Sequence, residues 1–334
     1  MSKLIKVIAK AFTQLGIILK DELTSLKLAR LANGGTNKYM IVQDIHGIRY
    51  LIRVNGKLFP PFTRTHEHDN LQQLKQHKIT NNVLLNDRLH GFQICVVDSA
   101  KNFSEISIDR THNSQLVAIS QEIKKCHEKN NFQNRYPVAN TAIHSLKKLP
   151  KIEQVKVESH LEIILRMLFT LALDENNHVS SHNDLLPSNV YIKKRHVHFV
   201  DWEYAAVNHR AYDLSYFIIS AALAPCQEQK LIDAYDPLNT FATKQAVLLT
   251  KPVIYFLLIT WNLAKFTRTN LPAQQLRSLT LSIQDVYSHS ASKRLTTEIR
   301  FFHTILRDAP RNLQPIQNNV SKTGSDICLP NQRR

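Results

Sequence analysis

Cysteine is scarce in this chain of 334 residues, and its four copies stand 31, 100 and 102 residues apart. This spacing excludes a CxxC metal-binding knuckle and a disulfide framework of the kind that staples small secreted domains. Such sparse cysteine use fits a reducing compartment best, so a cytoplasmic protein is expected. The four residues are Cys95, Cys126, Cys226 and Cys328.

Long runs of like-charged residues and long apolar runs are also missing. No run of five or more like charges occurs, although Lys and Arg outnumber Asp and Glu by 43 to 27, a formal net charge of +16. Scattered charge favours a generally basic surface over a dedicated nucleic-acid patch, so no nucleic-acid partner is expected. The longest later apolar run, 253–261, is about half a membrane span. The N-terminal stretch VIAKAFTQLGIILK is interrupted by Lys10, unlike a signal peptide, and a soluble protein is expected.

The N-terminal part of the sequence predicts a small sheet with helices. Apolar residues recur at roughly helical spacing over 4–32. Two strands are predicted within 39–54, joined by a hairpin turn at His46-Gly47. A helix in HEHDNLQQLKQH and further strands within 83–97 complete this part.

From about residue 112 the pattern of apolar residues changes, and long stretches with helical spacing begin. A second hairpin, predicted around Lys194-Arg195, interrupts them. The last segment, 314–334, is polar and aperiodic, and it is predicted to be a disordered tail.

The stretch SHNDLLPSNVYI, residues 181–192, places many hydrogen-bonding side chains before a short apolar strand. It contains Asp184 and Asn189, and Asp201 follows at the end of VHFVDW. Magnesium prefers oxygen ligands, which Asn189 and Asp201 can supply, while Asp184 can orient an attacking hydroxyl and accept its proton. These three residues predict a phosphoryl-transfer site.

A family resemblance begins in this stretch. HNDLLPSN has the His-x-Asp-x4-Asn spacing of the protein-kinase catalytic loop, but Leu186 stands where protein kinases usually carry lysine, which points away from protein substrates. SHNDLLPSNV followed by FVDWEYAAVNHRAYDLSYF is similar to the signature of the choline kinase and aminoglycoside phosphotransferase family. The resemblance implies a structural role for His182 in the loop and a buried, loop-bracing role for Asp213.

The same resemblance implies the fold and its division into lobes. The expected fold is α+β and protein-kinase-like, with a small N-terminal antiparallel-sheet lobe, 1–98, that binds nucleotide. A larger, mainly helical lobe, 99–313, is expected to carry the catalytic and acceptor-binding residues, followed by the tail.

LANGGTNKYMIV resembles the nucleotide loop of that family. Two of the seven glycines of the chain lie in it, and the first glycine of the family pattern is replaced by asparagine, which tolerates left-handed backbone better than most residues. The resemblance implies ATP, with Mg²⁺, as the nucleotide bound here. The implied contacts are Asn33, Gly34, Gly35, Thr36 and Asn37.

Three more nucleotide-binding residues are implied in the N-terminal lobe. Arg53 in YLIRV stands where these kinases carry a strand-borne cation for the phosphates. Glu67 is its predicted ion-pair partner, preferred to Asp69 because its spacing matches the family better. ICVVDSAKNFS resembles the segment that contacts adenine, with Val97 as the predicted contact.

The acceptor implied by the resemblance is choline or a related amino alcohol. A quaternary ammonium cannot donate hydrogen bonds, so aromatic faces and carboxylates usually hold it. The candidates are Glu203 and Tyr204 beside the metal-binding acid, and Trp261 at the polar end of an apolar helix. Aromatics on such a helix are also typical of core packing.

Other functions stay open at this stage. A kinase of thiamine or another small alcohol has the same fold, and DWEYA also occurs there. A catalytically silent nucleotide- or partner-binding protein is disfavoured by the presence of Asp184, Asn189 and Asp201 together. A nucleic-acid binder is supported by charge alone. The oligomeric state is left open.

Overall fold

The computed structural model describes most of the chain in several stretches, which form two compact units. One unit comprises Met1–Tyr136 and Leu171–Thr250, and the other comprises Pro137–Thr170 and Lys251–Arg334. The lobe boundaries implied by the sequence stay a prediction. The described residues are 2–21, 37–58, 62–80, 82–97, 101–102, 113–149, 151–193, 196–266, 277–282 and 284.

Helices and strands alternate in groups along the chain. The helices are α1 (Ser2–Gln14), α2 (Arg64–Gln76), α3 (Asn113–Lys129), α4 (Val138–Lys147), α5 (Lys151–Ala172), α6 (Ala211–Ser220), α7 (Pro225–Tyr235) and α8 (Thr240–Phe266). The strands are β1 (Lys38–Gln43), β2 (Arg49–Val54), β3 (Val83–Asp87), β4 (Phe92–Val96), β5 (Lys101–Asn102), β6 (His178–Ser181), β7 (Val190–Lys193), β8 (His196–Phe199) and β9 (Ala206–His209).

The first sheet has the strand order β1-β2-β4-β3, and all its neighbours are antiparallel. The predicted hairpin at His46-Gly47 is confirmed, with Gly47 at φ +84°, a left-handed conformation that glycine adopts without strain. The Asp44 carboxylate accepts the backbone N–H groups of His46 and Ile48 at 2.9 and 2.8 Å. The turn is therefore specified by short-range contacts.

The helix predicted over 4–32 is wrong in its extent, because α1 ends at Gln14. Gly16 has φ +69°, its N–H bonds to the Thr13 carbonyl at 3.0 Å, and the Ile17 N–H bonds to the Phe12 carbonyl at 3.0 Å. This pair of bonds is a Schellman motif, which ends a helix at a left-handed glycine. The part of the prediction beyond residue 21 lies outside the described residues.

Helix α2 carries the predicted ion-pair acid on its buried face. The Thr63 hydroxyl caps the helix by accepting the His66 N–H at 3.1 Å. The buried residues follow helical spacing, so one face of α2 is turned inward. They are Glu67, Asn70, Leu71 and Leu74.

Two small sheets frame the stretch 182–189. Strands β6 and β9 pair antiparallel, and β7 pairs with both β5 and β8. The β7–β8 pairing confirms the predicted second hairpin, whose turn residues Lys194 and Arg195 lie outside the described part. The residues 182–189 therefore connect two strands of different sheets, and Asp201 lies two residues after the end of β8.

A hydrophobic core underlies this region of the first unit. It combines side chains from α3, α6 and α7 with those of the β7–β8 hairpin. Trp202, next to Asp201, is fully buried, and its indole N–H donates to the Phe199 carbonyl at 3.1 Å. The segment that carries Asp201 is thus anchored in the core.

Helix α8 is the one described helix that is long and apolar enough, over Thr240–Trp261, to cross a membrane. Half of its most apolar window is buried inside the protein, as in a core helix of a soluble protein. A single segment of this kind is weak evidence for a membrane span. Of the cysteines, Cys95, Cys126 and Cys226 are free thiols, in accordance with the absence of a disulfide framework among the described residues.

Candidate active site

The Arg53 guanidinium lies at the centre of a buried ionic cluster. Its side chain is 2% exposed, and its Nη2 and Nη1 atoms lie 2.5 Å from Glu67 Oε1 and 2.5 Å from Asp201 Oδ1. Burial opposes the charged form, but the carboxylates of Glu67 and Asp201 raise the pKa of Arg53 well above its ordinary value. The structure thus brings together Arg53 of β2, Glu67 of α2 and Asp201 after β8. Because two carboxylates contact it, the Arg53 guanidinium stays charged.

A second layer of polar contacts surrounds this cluster. Arg64 Nη1 lies 2.7 Å from Glu67 Oε2 and 2.9 Å from Glu203 Oε2. Asn37 Nδ2 donates to Glu203 Oε2 at 2.7 Å, and Asn37 Oδ1 accepts from Gly56 N at 2.9 Å. Sequence reasoning missed Arg64, although its position three residues before Glu67 places both on one helix face.

Asp201 has an unusual backbone and a crowded carboxylate. Its φ of +67° and ψ of +60° are left-handed, a conformation that costs free energy for a residue other than glycine and is often kept at functional sites. The Tyr39 hydroxyl donates to Asp201 Oδ2, and Asn37 Nδ2 donates to Oδ1 at 3.3 Å. Burial and the Asp201 charge raise the pKa of Tyr39, so Tyr39 stays a donor. No motif or spacing in the sequence predicts this contact.

The loop before Asp184 also contains a left-handed residue. Asn183 has φ +65°, and its side-chain amide donates to the carbonyl groups of Tyr204 and Ala206 at 3.0 and 3.1 Å. Its Oδ1 accepts from Asn208 Nδ2 at 2.8 Å. These bonds tie the loop to the segment that follows Asp201.

Asp213 on α6 holds the backbone of the same loop. Its carboxylate accepts the N–H groups of His182 and Asn183, both at 2.7 Å. His127 Nε2 lies 3.1 Å from the same carboxylate. Burial opposes ionisation, but the hydrogen bond and charge of His127 outweigh it and lower the pKa of Asp213. An ionised acid on a core helix therefore fixes the loop.

His182 is placed for a structural contact. Its Nε2 donates to the Val200 carbonyl at 3.0 Å, and its Nδ1 accepts the Asp184 N–H at 3.3 Å. The ring is buried, and this burial lowers the pKa of His182. A neutral imidazole thus bridges the loop and the end of β8.

Asp184 presents its carboxylate beside the cluster. The Tyr216 hydroxyl donates to Oδ1 at 2.9 Å, and Asn189 Nδ2 donates to Oδ2 at 3.2 Å. Burial, together with the negative charge of Asp201, raises the pKa of Asp184 to about 8. A half-buried carboxylate with such an affinity for protons is suited to accept one. Tyr216 was not predicted from the sequence, although it lies on the same helix as Asp213.

The β7–β8 hairpin explains why Asn189 and Asp201 are neighbours. The two strands pair from Val190 with Phe199 onwards, and the Val200 N–H extends this ladder by donating to the Asn189 carbonyl at 3.0 Å. Of the two residues predicted as magnesium ligands, Asn189 accepts this hydrogen bond and Asp201 follows its donor, Val200. The bond therefore keeps the two residues close together.

The donor set fits a magnesium ion. Three carboxylates contact two guanidinium groups, and the Asp184 carboxylate is close enough to feel the charges of Asp201 and Glu203. With all four acids ionised the cluster would have a net charge of −2, which one Mg²⁺ would neutralise. Burial and the Asp201 charge raise the pKa of Glu203, as expected where acids crowd together. Within the described residues, no group of three or more His, Cys, Asp or Glu side chains forms a closed metal site. Magnesium commonly binds through few protein oxygens and substrate phosphates.

The remaining predicted residues have varied positions. Tyr204 packs edge-on against Phe62, with 5.1 Å between ring centroids. Val97 is buried after β4, where its N–H donates to the Arg49 carbonyl at 2.9 Å. Trp261 lies on α8 and is half-buried. The predicted loop contacts Asn33, Gly34, Gly35 and Thr36 lie outside the described residues.

Comparison with known proteins starts from the sequence. Residues 28–241 match the family model described as Choline/ethanolamine kinase. The chain is similar to a protein LicA homolog of Mycoplasma capricolum subsp. capricolum, with 28% identity over 152 residues, which are 44% of this chain and 60% of the relative. The curated relatives are thus matched over less than two thirds of their own length.

Solved structures show the same fold. A choline/ethanolamine kinase family protein from Mesorhizobium loti has a TM-score of 0.62 at 18% identity, covering 88% of this chain and 99% of that chain. Choline kinase LicA from Streptococcus pneumoniae has a TM-score of 0.65 at 16% identity, covering 85% and 99%. LicA in complex with AMP has a TM-score of 0.58 at 16% identity, covering 85% and 98%. These likenesses confirm the predicted protein-kinase-like α+β fold.

Proposed function

Because this chain belongs to the choline/ethanolamine kinase family, we propose that it transfers the γ-phosphate of ATP to the hydroxyl of choline or a related amino alcohol. The observation that carries this proposal is the placement of Asp184 beside the Arg53–Asp201 ion pair. A proton acceptor, a phosphate-binding cation and metal-binding oxygens then converge, as phosphoryl transfer requires.

The nucleotide end of the site is assigned to the sheet residues. Arg53 would face the phosphates, and Glu67 would hold the guanidinium in place through its 2.5 Å contact. Asn37 and Val97 are further proposed nucleotide contacts, together with the loop residues 33–36. The complex of LicA with AMP supports a nucleotide as the donor.

The reacting end is assigned to the catalytic loop and the end of β8. Asp184 would orient the acceptor hydroxyl and take its proton as the oxygen attacks phosphorus. Asn189 and Asp201 would hold Mg²⁺, which supplies charge neutralisation for the phosphate oxygens. His182 and Asp213 would keep the loop in shape through the backbone contacts described above.

The acceptor class follows from family membership and from charge. The family model names choline and ethanolamine, both of which carry a cation next to a hydroxyl. Glu203 and Tyr204 provide a carboxylate and an aromatic ring two and three residues after Asp201. Trp261 stays a predicted acceptor contact. A thiamine kinase is the second candidate, favoured by the DWEYA sequence alone.

The acceptor can be identified by incubating the protein with ATP, Mg²⁺ and one alcohol at a time. We expect choline to be phosphorylated with a higher kcat/KM than ethanolamine or thiamine, because its methylated ammonium gains cation–π attraction that ethanolamine exchanges for hydrogen bonds. Product formation is measured by mass spectrometry.

A panel in which thiamine is the best acceptor would replace choline with the second candidate. If no alcohol is phosphorylated while nucleotide still binds, the protein is a catalytically silent binder. Each of these results contradicts the leading proposal in a different way.

The magnesium assignment predicts different behaviour for its two ligands. Asn189→Ala and Asp201→Ala should both weaken magnesium-dependent activity, because each removes an oxygen ligand from a small, demanding cation. Raised Mg²⁺ should partly rescue Asn189→Ala but not Asp201→Ala, since an amide contributes less charge than a carboxylate. The rate is measured as a function of Mg²⁺ concentration.

A matched control for this titration is Asn140→Ala, which truncates an exposed amide on α4. Its magnesium dependence should equal that of the unmodified protein. Unchanged magnesium curves for both Asn189→Ala and Asp201→Ala would remove these residues from the metal site.

A further inference from the structure

Two side chains of helix α6 contact the catalytic loop, residues 182–189. Asp213 holds the backbone of the loop through the N–H groups of His182 and Asn183, both at 2.7 Å. Tyr216, three residues later, donates its hydroxyl to Asp184 Oδ1 at 2.9 Å. Residues three apart share a helix face, so one rigid element contacts both the backbone of the loop and its reactive side chain.

The two oxygens of Asp184 have separate donors. Tyr216 contacts Oδ1, whereas Asn189 Nδ2 contacts Oδ2 at the longer distance of 3.2 Å. Asn189 Nδ2 also donates to the Asp184 backbone carbonyl at 2.8 Å, so its donor is shared. The Tyr216 contact is therefore the stronger restraint on rotation of the carboxylate.

Packing fixes the Tyr216 ring itself. It stacks on Tyr212, one helical turn earlier, with 6.0 Å between centroids and 26° between planes. The neighbouring Leu214 and Phe217 are fully buried in the core. The Tyr216 hydroxyl therefore keeps its position. Because it is already in place, little conformational entropy is lost when it orients the Asp184 carboxylate.

We propose that Tyr216 is a positioning residue that fixes the Asp184 carboxylate for proton acceptance. The inference rests on the proposed function, because it assumes that Asp184 is the base. Proton transfer needs the donor and acceptor heavy atoms about 2.6 to 3.2 Å apart, and a misplacement of about 1 Å can cost about 10²-fold in rate. Nucleotide affinity should not depend on Tyr216, because Arg53, the proposed phosphate-binding residue, is held by Glu67 and Asp201 and not by Tyr216.

The test is Tyr216→Phe, which removes one oxygen and keeps the ring. We expect kcat to fall by about 10- to 100-fold, with the KM for ATP and the melting temperature nearly unchanged. The matched control is Tyr212→Phe on the same helix, whose hydroxyl contacts Tyr136 at 3.5 Å. This control should keep kcat within about twofold, because a neutral hydrogen bond this long is weak.

Two further measurements make the test decisive even if Tyr216→Phe is unstable. Replacing Tyr216 by 4-aminophenylalanine keeps a donor at the same place on the ring and should restore most of the lost rate. In the Asp184→Asn background, Tyr216→Phe should cause no further loss, since a residue that acts through Asp184 has nothing left to position.

Several results would overturn the inference. A Tyr216→Phe variant with unchanged kcat, or with an equal loss in both backgrounds, would show that the phenol does not act through Asp184. A 4-aminophenylalanine variant as slow as Tyr216→Phe would show the same. The proposed function survives these results as long as Asp184→Asn alone is inactive, and it fails together with the inference if Asp184→Asn retains its rate.

Discussion

Asp184→Asn should lower kcat by at least about 10²-fold while the protein still folds and binds nucleotide. The loss is on the scale expected when a positioned proton acceptor is replaced by an amide that cannot take the proton. Nucleotide affinity should survive, because Arg53 keeps its contacts with Glu67 and Asp201. Turnover with choline and equilibrium binding of ADP measure the two effects separately.

The control for this variant is Asp233→Asn, the same chemical change at an exposed site on α7. Its turnover should match that of the unmodified protein. An Asp184→Asn variant that keeps most of its rate would end the assignment of Asp184 as the base.

The stability of Asp184→Asn has its own pH dependence. The folded pKa of Asp184 is raised to about 8, whereas the pKa of an unfolded aspartate is about 3.9. The folded state therefore binds more protons between these values, and ionisation of Asp184 lowers the stability as pH rises from about 4 to about 8. Relative to the unmodified protein, Asp184→Asn should become more stable over this range in metal-free buffer, as measured by thermal unfolding at several pH values.

Arg53→Met should destabilise the protein by about 3 to 5 kcal/mol and weaken nucleotide binding. Removing one partner of a buried ion pair leaves the other charges without compensation. Here Asp201, which is 6% exposed, loses its ion-pair partner, and Glu67, which is 1% exposed, keeps only its contact with Arg64. The free energy of unfolding in urea and the affinity for ADP are the measurements.

A second substitution separates charge from packing. Arg53→Met combined with Glu67→Leu should recover part of the lost stability, because the buried acid that has lost one of its two cations is removed as well. It should not recover nucleotide binding, since the cation is still missing. Arg88→Met, an exposed change at the turn between β3 and β4, is the control and should shift stability by less than about 0.5 kcal/mol. A fully stable Arg53→Met protein would contradict the ionic description of the cluster.

Features that depend on short stretches of chain were predicted well. The hairpin at His46-Gly47 follows from a glycine that can adopt positive φ, and Gly47 does so. The hairpin that joins Asn189 to Asp201 follows from two apolar strands around a polar turn, and it was confirmed. The helix predicted from residue 4 is overextended, because apolar residues continue at helical spacing beyond Gly16, whereas Gly16 ends the helix through a Schellman motif.

Contacts between distant residues account for what was missed. Tyr39 and Asp201 are 162 residues apart, and Tyr216 and Asp184 are 32 apart. No periodicity or spacing signals such pairs, because each depends on how separate elements pack. The Arg64–Glu203 contact is of the same kind, and it gives Glu203 a structural partner that the sequence did not suggest.

Sequence alone was enough for the two hairpins, for the helix that carries Glu67, and for the acidic and amide groups at 184, 189 and 201. These depend on local backbone preference and on residue type, which a linear sequence states directly. The electrostatics follow from packing instead, since burial and the charge of Asp201 raise the pKa of Asp184 to about 8. Coulomb energy depends on separation and dielectric environment, and packing alone sets both.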